Sequence, residues 1–153
     1  MKVAIGCDHG GFALKEAVAA WLRENGYEVE DFGCFSTDSV DYAPIAAKAA
    51  RCVAEGRADR GILVCSTGIG ISIAANKVRG IRAAVCTSEH LATMTRRHNN
   101  ANVLCMGGQV VDKDLALKMV EIFLTTAFDG DAPEGARHLR RVEQIGKIEN
   151  GEL

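Results

Sequence analysis

The sequence has no long apolar run, no block of like charge, and no Cys-x-x-Cys or His-x-x-x-His pair. Each absence removes a class of function. A membrane-spanning helix needs about 20 consecutive apolar residues, and none are found together. The 18 basic and 20 acidic residues are scattered and sum to a net charge of −2, which leaves no basic footprint for nucleic acid or an anionic bilayer. The four histidines, His9, His90, His98 and His138, are dispersed, so no metal is expected. The opening "MKVAIGCDHGG" enters a strand pattern at once, without the layout of a secretory leader. The six cysteines are therefore expected free, in a reducing cytoplasm. No internal repeat or low-complexity tract interrupts the chain. At 153 residues and 48% hydrophobic content, a single domain over 1–153 is expected.

What is present is an alternation. "KVAIGC" is a short run of β-formers, and "FALKEAVAAWLRENG" then sets Phe12, Leu14, Ala17, Val18, Trp21 and Leu22 mostly on one helical face, with Gly26 as the stop. "YEVEDF", "GILVC", "RAAVC" and "NVLCM" repeat the strand signal. Helices are predicted from about Tyr42 to Glu55, from near Gly70, from about Glu89 to Arg97, and from about Leu115 to Thr125 behind Asp112 or Asp114. Strands that are apolar throughout are covered on both faces. The expected fold is α/β: a three-layer αβα Rossmann-like domain with a five-stranded parallel sheet and an extra C-terminal helix at about 136–149, after the looser "FDGDAPEGA".

Parallel sheets bind ligands beyond the carboxyl ends of their strands. There the chain places "DHGG" after the first strand, "CSTGIG" after the third and "GGQ" after the fifth, with "RRHNNAN" just before the fifth. Cys7, Cys86 and Cys105, with Cys34 and Cys52, read as small core hydrophobes. Cys65 differs because glycines and a helix start follow it. Its loop suits a phosphate cradle, a reactive thiol or a plain tight turn. Named motifs do not settle the choice. A dinucleotide fingerprint would need glycine at Ile73, a Walker loop needs Gly-Lys-Ser/Thr, and a phosphatase loop would need arginine at Ile71. Arg137 and Arg141 share a helical face that could grip a phosphate or simply be solvated. His98 could serve in chemistry or cap helix carbonyls.

Taken together and in order, "GCDHGGF", "DYAP", "CSTGIGISIAANKVRGIRAAVC", "RRHNNANVL" and "GARHLRRVEQI" resemble the ribose-5-phosphate isomerase B family, which includes galactose-6-phosphate isomerase subunits. The resemblance implies metal-free and cofactor-free aldose–ketose isomerisation of a sugar phosphate through a cis-enediol(ate), in homodimers or homotetramers with a shared active site. It assigns Cys65 as the base that moves the carbon-bound proton, Thr67 as an assisting hydroxyl, and the amides of Ser66, Thr67, Gly68, Ile69 and Gly70 as the cradle of the enediolate oxygen. His98 opens the sugar ring, reaching the site with Asn99 from a neighbouring subunit. Asp8 and Tyr42 contact the sugar; His9, Arg137 and Arg141 hold the phosphate. D-ribose 5-phosphate is the expected substrate, with a hexose 6-phosphate as the alternative. A non-catalytic phosphate-binding module would have no use for the thiol, and a thiol redox protein would want a resolving cysteine near Cys65. Two positions depart from the family pattern: Ser66 replaces a usual glycine, and Gln109 stands where an arginine for the phosphate is expected.

Overall fold

A computed structural model describes residues 1–153. Five strands, β1 (Lys2–Cys7), β2 (Glu28–Asp31), β3 (Arg60–Cys65), β4 (Ala83–Val85) and β5 (Val103–Gly107), form one parallel sheet in the order β2-β1-β3-β5-β4. Six helices connect and flank them: α1 (Phe12–Glu24), α2 (Tyr42–Ala54), α3 (Ile69–Ala75), α4 (Glu89–Asn99), α5 (Lys113–Thr125) and α6 (Ala136–Glu149).

Strand alternation sorts the core into two layers. Val3, Ile5, Ile62, Val64, Leu104 and Met106 point to one face and pack with residues of α1, α4 and α5. Their neighbours Ala4, Leu63, Cys65, Val103 and Cys105 point to the other, against α2 and α3. Both faces being apolar is why the strands read as unbroken hydrophobic runs. The expected three-layer α/β fold is the one found.

Helix ends follow local chemistry. Ser88 accepts a hydrogen bond from the Leu91 amide and opens α4; Asp112 does the same for Leu115 and opens α5, so the cap is Asp112 rather than Asp114. α4 runs two residues past the expected Arg97 and ends at Asn100 in a left-handed conformation. The second strand is shorter than "YEVEDF", since only four of its residues pair with β1.

The face of α1 differs from the periodic reading. Lys15 and Ala19 are enclosed with Leu14, Val18 and Leu22, while Phe12, Ala17 and Trp21 are only partly covered. A fully enclosed lysine is tolerated because Asp31 at the end of β2 and Glu16 meet its Nζ at 2.8 and 2.5 Å, and the rings of Phe12 and Phe35 flank it. Burial lowers the proton affinity of Lys15, and the hydrogen bonds to Asp31 and Glu16 more than offset it, leaving its pKa raised.

α6 lies outside the alternation. Two short 3-10 turns, Asp129–Asp131 and Pro133–Gly135, carry the chain to it, and it packs on α4. Its far end is tied by Arg79, which donates to the Glu149 carbonyl and to Asn150, and by the Gly80 amide, which donates to the Glu149 carboxylate at 2.8 Å. Leu139, Ile145 and Ile148 remain exposed on it.

Candidate active site

The sheet order reverses direction between β1 and β3, and the crevice outside such a switch point is where open α/β sheets bind ligands. Register fixes what meets there. Cys7 lies beside Val64, and Cys65 beside Gly107, so the loops after β1, β3 and β5 emerge side by side. Backbone contacts then knit them together: the Gly108 amide donates to the Cys65 carbonyl at 2.8 Å and the Gln109 amide to the Ser66 carbonyl at 3.0 Å.

Two glycines let this happen. Gly68 has φ +81°, and a β-carbon there would stand 2.8 Å from the backbone of Met106. A β-carbon on Gly70 would stand 2.7 Å from the ring of Tyr42, which α2 brings over the loop from its first turn.

Cys65 is buried at the end of β3, and the Gly68 amide donates to its Sγ at 3.0 Å. A donor aimed at sulfur stabilises negative charge that gathers there. The Ile69 amide donates to the Thr67 hydroxyl at 3.3 Å. The amides of Ser66, Thr67 and Gly70 meet no acceptor within the chain. Three free donors around a thiol form a nest for an oxyanion.

The other cysteines are of a different kind. Burial pushes the Cys105 thiol well above its ordinary range and the Cys86 thiol up to about 11. Burial, followed by contact with Cys34, raises Cys7 as well. All six thiols are free and buried.

Around the nest stand other expected residues. The Asp8 carboxylate is spent partly on its own turn, accepting the Gly10 and Gly11 amides at 2.9 and 3.2 Å through Oδ1 and leaving Oδ2 unengaged. His9 accepts the Val40 amide through Nδ1 at 3.2 Å. Gln109 and Tyr42 are exposed at the rim.

His98 and Arg137 are elsewhere. They belong to a second cluster between α4, α6 and the 129–131 turn, beside a cavity of about 430 Å³ whose walls include Arg97, Asp129, Glu134, Arg137 and His138. No hydrogen bond, ion pair or cavity within the chain links this cluster to Cys65. Asn99, one residue on from His98, lines a different depression of about 290 Å³ with Ile81 and Ile145. Arg141 is exposed on α6 and lines no cavity.

His138 and Asp129 were not among the sequence candidates. The imidazoles of His98 and His138 stack with centroids 4.1 Å apart and planes 6° from parallel, so two of the histidines dispersed in sequence are neighbours in space. His138 is buried; its Nε2 accepts from Arg137 Nε at 3.3 Å and its Nδ1 has no partner. Burial, then His98, Arg137 and Arg141, lower its pKa. His98, Asp129 and His138 are close enough to suggest metal ligands, within 4.8 Å of one another. However, Arg97 already holds the Asp129 carboxylate and Arg137 donates to His138 Nε2, so two of the three groups are engaged by guanidinium groups rather than free for a cation. The signal that could have found His138 was its place between Arg137 and Arg141 in "GARHLRR".

Residues 3–145 match the family model described as Ribose/Galactose Isomerase. The chain is 48% identical to the ribose-5-phosphate isomerase B of Escherichia coli (strain K12), covering 97% of this chain and 96% of that one. It is 40% identical to the 4-deoxy-4-sulfo-D-erythrose isomerase of Clostridium sp. (strain MSTE9), with 97% and 96% covered. Its fold superposes on the structure of Clostridium thermocellum ribose-5-phosphate isomerase B with a TM-score of 0.94, at 51% identity and full coverage of both chains. With a thiol and its amide nest at the switch point of the sheet, and matches of this extent on both sequence and fold, the chain belongs to the ribose/galactose isomerase family.

Proposed function

We infer that this chain interconverts D-ribose 5-phosphate and D-ribulose 5-phosphate. The observation that carries the reading is the Cys65 loop, where a buried thiol receives an amide donor and three further amides remain free. In the open-chain aldose, Cys65 takes the proton on C2. The released electron pair forms the C1–C2 double bond and moves the carbonyl electrons onto O1, where the free amides meet the charge. The Thr67 hydroxyl assists proton movement between the two oxygens. Return of the proton to C1 and formation of the C2 carbonyl give the ketose. No redox cofactor is consumed, because one carbon is oxidised as its neighbour is reduced.

His98 opens the ring first, and it does so from a neighbouring subunit. The separation of the His98 cluster from Cys65 within one chain supports a homodimeric site, as do the apolar side chains exposed near each half: Ile69, Ile73 and Val110 near Cys65, Leu139 and Ile145 on α6. Asp8 and Tyr42 contact the sugar; His9, Arg137 and Arg141 take the phosphate, and Asn99 accompanies His98. Six free cysteines suit the cytoplasm, and the single sheet suits one domain over 1–153. No helix is long and apolar enough to cross a membrane.

Turnover of four-, five- and six-carbon sugar phosphates by the purified protein tests the reading. D-ribose 5-phosphate should be processed best; no turnover of any of them would reject it.

One observation favours a second substrate. Gln109 offers an amide at the rim where an arginine would add charge at the anionic end of the sugar, and a relative acts on a sulfonated tetrose. A charge-assisted contact contributes about 1.5–3 kcal/mol, so its absence weakens phosphate binding by roughly 10- to 100-fold. On the pentose phosphate reading, Gln109→Arg lowers KM for ribose 5-phosphate. If it instead harms the best substrate found, that substrate uses the amide as both donor and acceptor.

A further inference from the structure

Asp129 lies outside every expected role, yet its carboxylate is hydrogen-bonded to Arg97 and lies within 4.8 Å of a ring nitrogen of both His98 and His138. Arg97 donates to it from Nε at 3.0 and 3.1 Å and from NH2 at 3.0 Å. His98 Nε2 stands 3.9 Å from Oδ2, beyond a hydrogen bond and within reach of an ion pair when the ring is protonated. His138 lies flat against His98 and lines the same cavity as Asp129.

We propose that Asp129 is the positioning residue of ring opening: its carboxylate, fixed by Arg97, sets the orientation of His98 against His138 and balances the charge His98 carries while it moves the proton. The proposal rests on the assignment of ring opening to His98. In that step the C1–O4 bond breaks, O4 gains a proton, and the anomeric hydroxyl loses its proton as the C1 carbonyl forms. One imidazole that exchanges a proton with both oxygens passes through its charged form.

Two stacked imidazoles repel if both are charged, so one must remain neutral. His138 is the neutral partner: it is buried, its Nε2 is an acceptor for Arg137, and burial lowers its proton affinity. The charge then falls on His98, which α4 leaves partly open to solvent. A carboxylate that is itself held ionised answers that charge. Hydrogen bonding by Arg97 keeps Asp129 below the ordinary carboxylate range, and the two histidines add to the effect. With Arg97 bonded to both of its carboxylate oxygens, Asp129 acts on ring opening through His98. The 129–131 turn, which reads as mere linker, thereby becomes part of the site.

The test is Asp129→Asn, which retains an oxygen for Arg97 and removes the charge. With ribose 5-phosphate, kcat should fall by about 10-fold while KM stays within about 2-fold. A four-carbon sugar phosphate, whose 4-hydroxyl is blocked and which cannot close a furanose, should be turned over at the wild-type rate. Asp129→Glu should restore most of the loss. Equal slowing of both substrates would overturn the proposal and leave Asp129 a structural tie for α4.

A second measurement needs no turnover. Stacked rings shift one another's carbon-bound proton resonances upfield, and in Asp129→Asn the His98 and His138 signals should move back toward free-imidazole positions. Unchanged histidine signals would also overturn the proposal. If the wild-type protein isomerises no pentose phosphate, the functional reading fails and ring opening with it, while the resonances separately decide whether Asp129 orients His98 against His138.

Discussion

At the scale of single residues, the sequence placed Cys65 and the glycines behind it in the right loop, because a strand end followed by small residues leaves few conformations. On the proposed mechanism Cys65 is the base, and removing a base acts on the transition state rather than on binding, so Cys65→Ala should lower kcat by roughly 10²–10⁴-fold with KM nearly unchanged. Steady-state kinetics with ribose 5-phosphate check this, and near-normal turnover would take Cys65 out of the mechanism. Lys15 was not legible, since periodicity scores lysine as surface and the partner that neutralises it, Asp31, lies on another element. Lys15→Met would leave the Asp31 carboxylate, 15% exposed, facing an apolar side chain. A cost of about 3 kcal/mol is expected in urea unfolding at neutral pH. The sign of its pH dependence follows from a raised folded-state pKa. The stabilisation is complete below the ordinary lysine value of 10.5 and is lost as pH rises through the folded value. The gap between wild type and Lys15→Met should therefore be constant from pH 7 to 9 and narrow above 10.5. A gap that widens with alkali would contradict the ion pair.

Among elements, the central strands β1, β3 and β5 were the best read, for their apolar runs fill both faces of the sheet. Helix limits moved by a residue or two where caps decided them, as at Asp112 and Asn100. The loops carried the more consequential information. Gly68 combines a left-handed backbone with backbone contact to β5, whereas Gly26, at φ +79°, has nothing within 4 Å of where a β-carbon would sit. Alanine at either position costs about 1–2 kcal/mol for the left-handed conformation. Only Gly68→Ala should also push the nest away from β5 and lower kcat by at least about 10-fold, since donors displaced from an oxyanion lose most of their effect. Thermal melts and kinetics on the pair separate the two contributions. Equal activity in both variants would show that the nest geometry does not matter. The second cluster was hardly legible at this scale. Arg97, Asp129 and His138 come from three elements whose approach is set by how α6 docks, and no spacing within the sequence encodes that docking.

For the whole molecule, the telling feature is that the expected site residues fall into two separate clusters of one chain, which the proposed function reads as two halves of a shared site. The thiol and its amides open at the switch point of the sheet; the stacked histidines and arginines lie between α4 and α6, with no hydrogen bond, ion pair or cavity joining the two sets. The motif order in the sequence shows both halves and hides their separation, because linear order carries no distance. A twofold arrangement that pairs each half with the other's complement would give two identical sites per dimer. Mixing Cys65→Ala with His98→Asn, each inactive on ribose 5-phosphate, measures this directly. After subunit exchange, half of the dimers are mixed and each carries one intact site, so about a quarter of wild-type activity per chain should return. No recovery, once exchange has been verified by native mass spectrometry, would place Cys65 and His98 in the same chain's site and contradict the account.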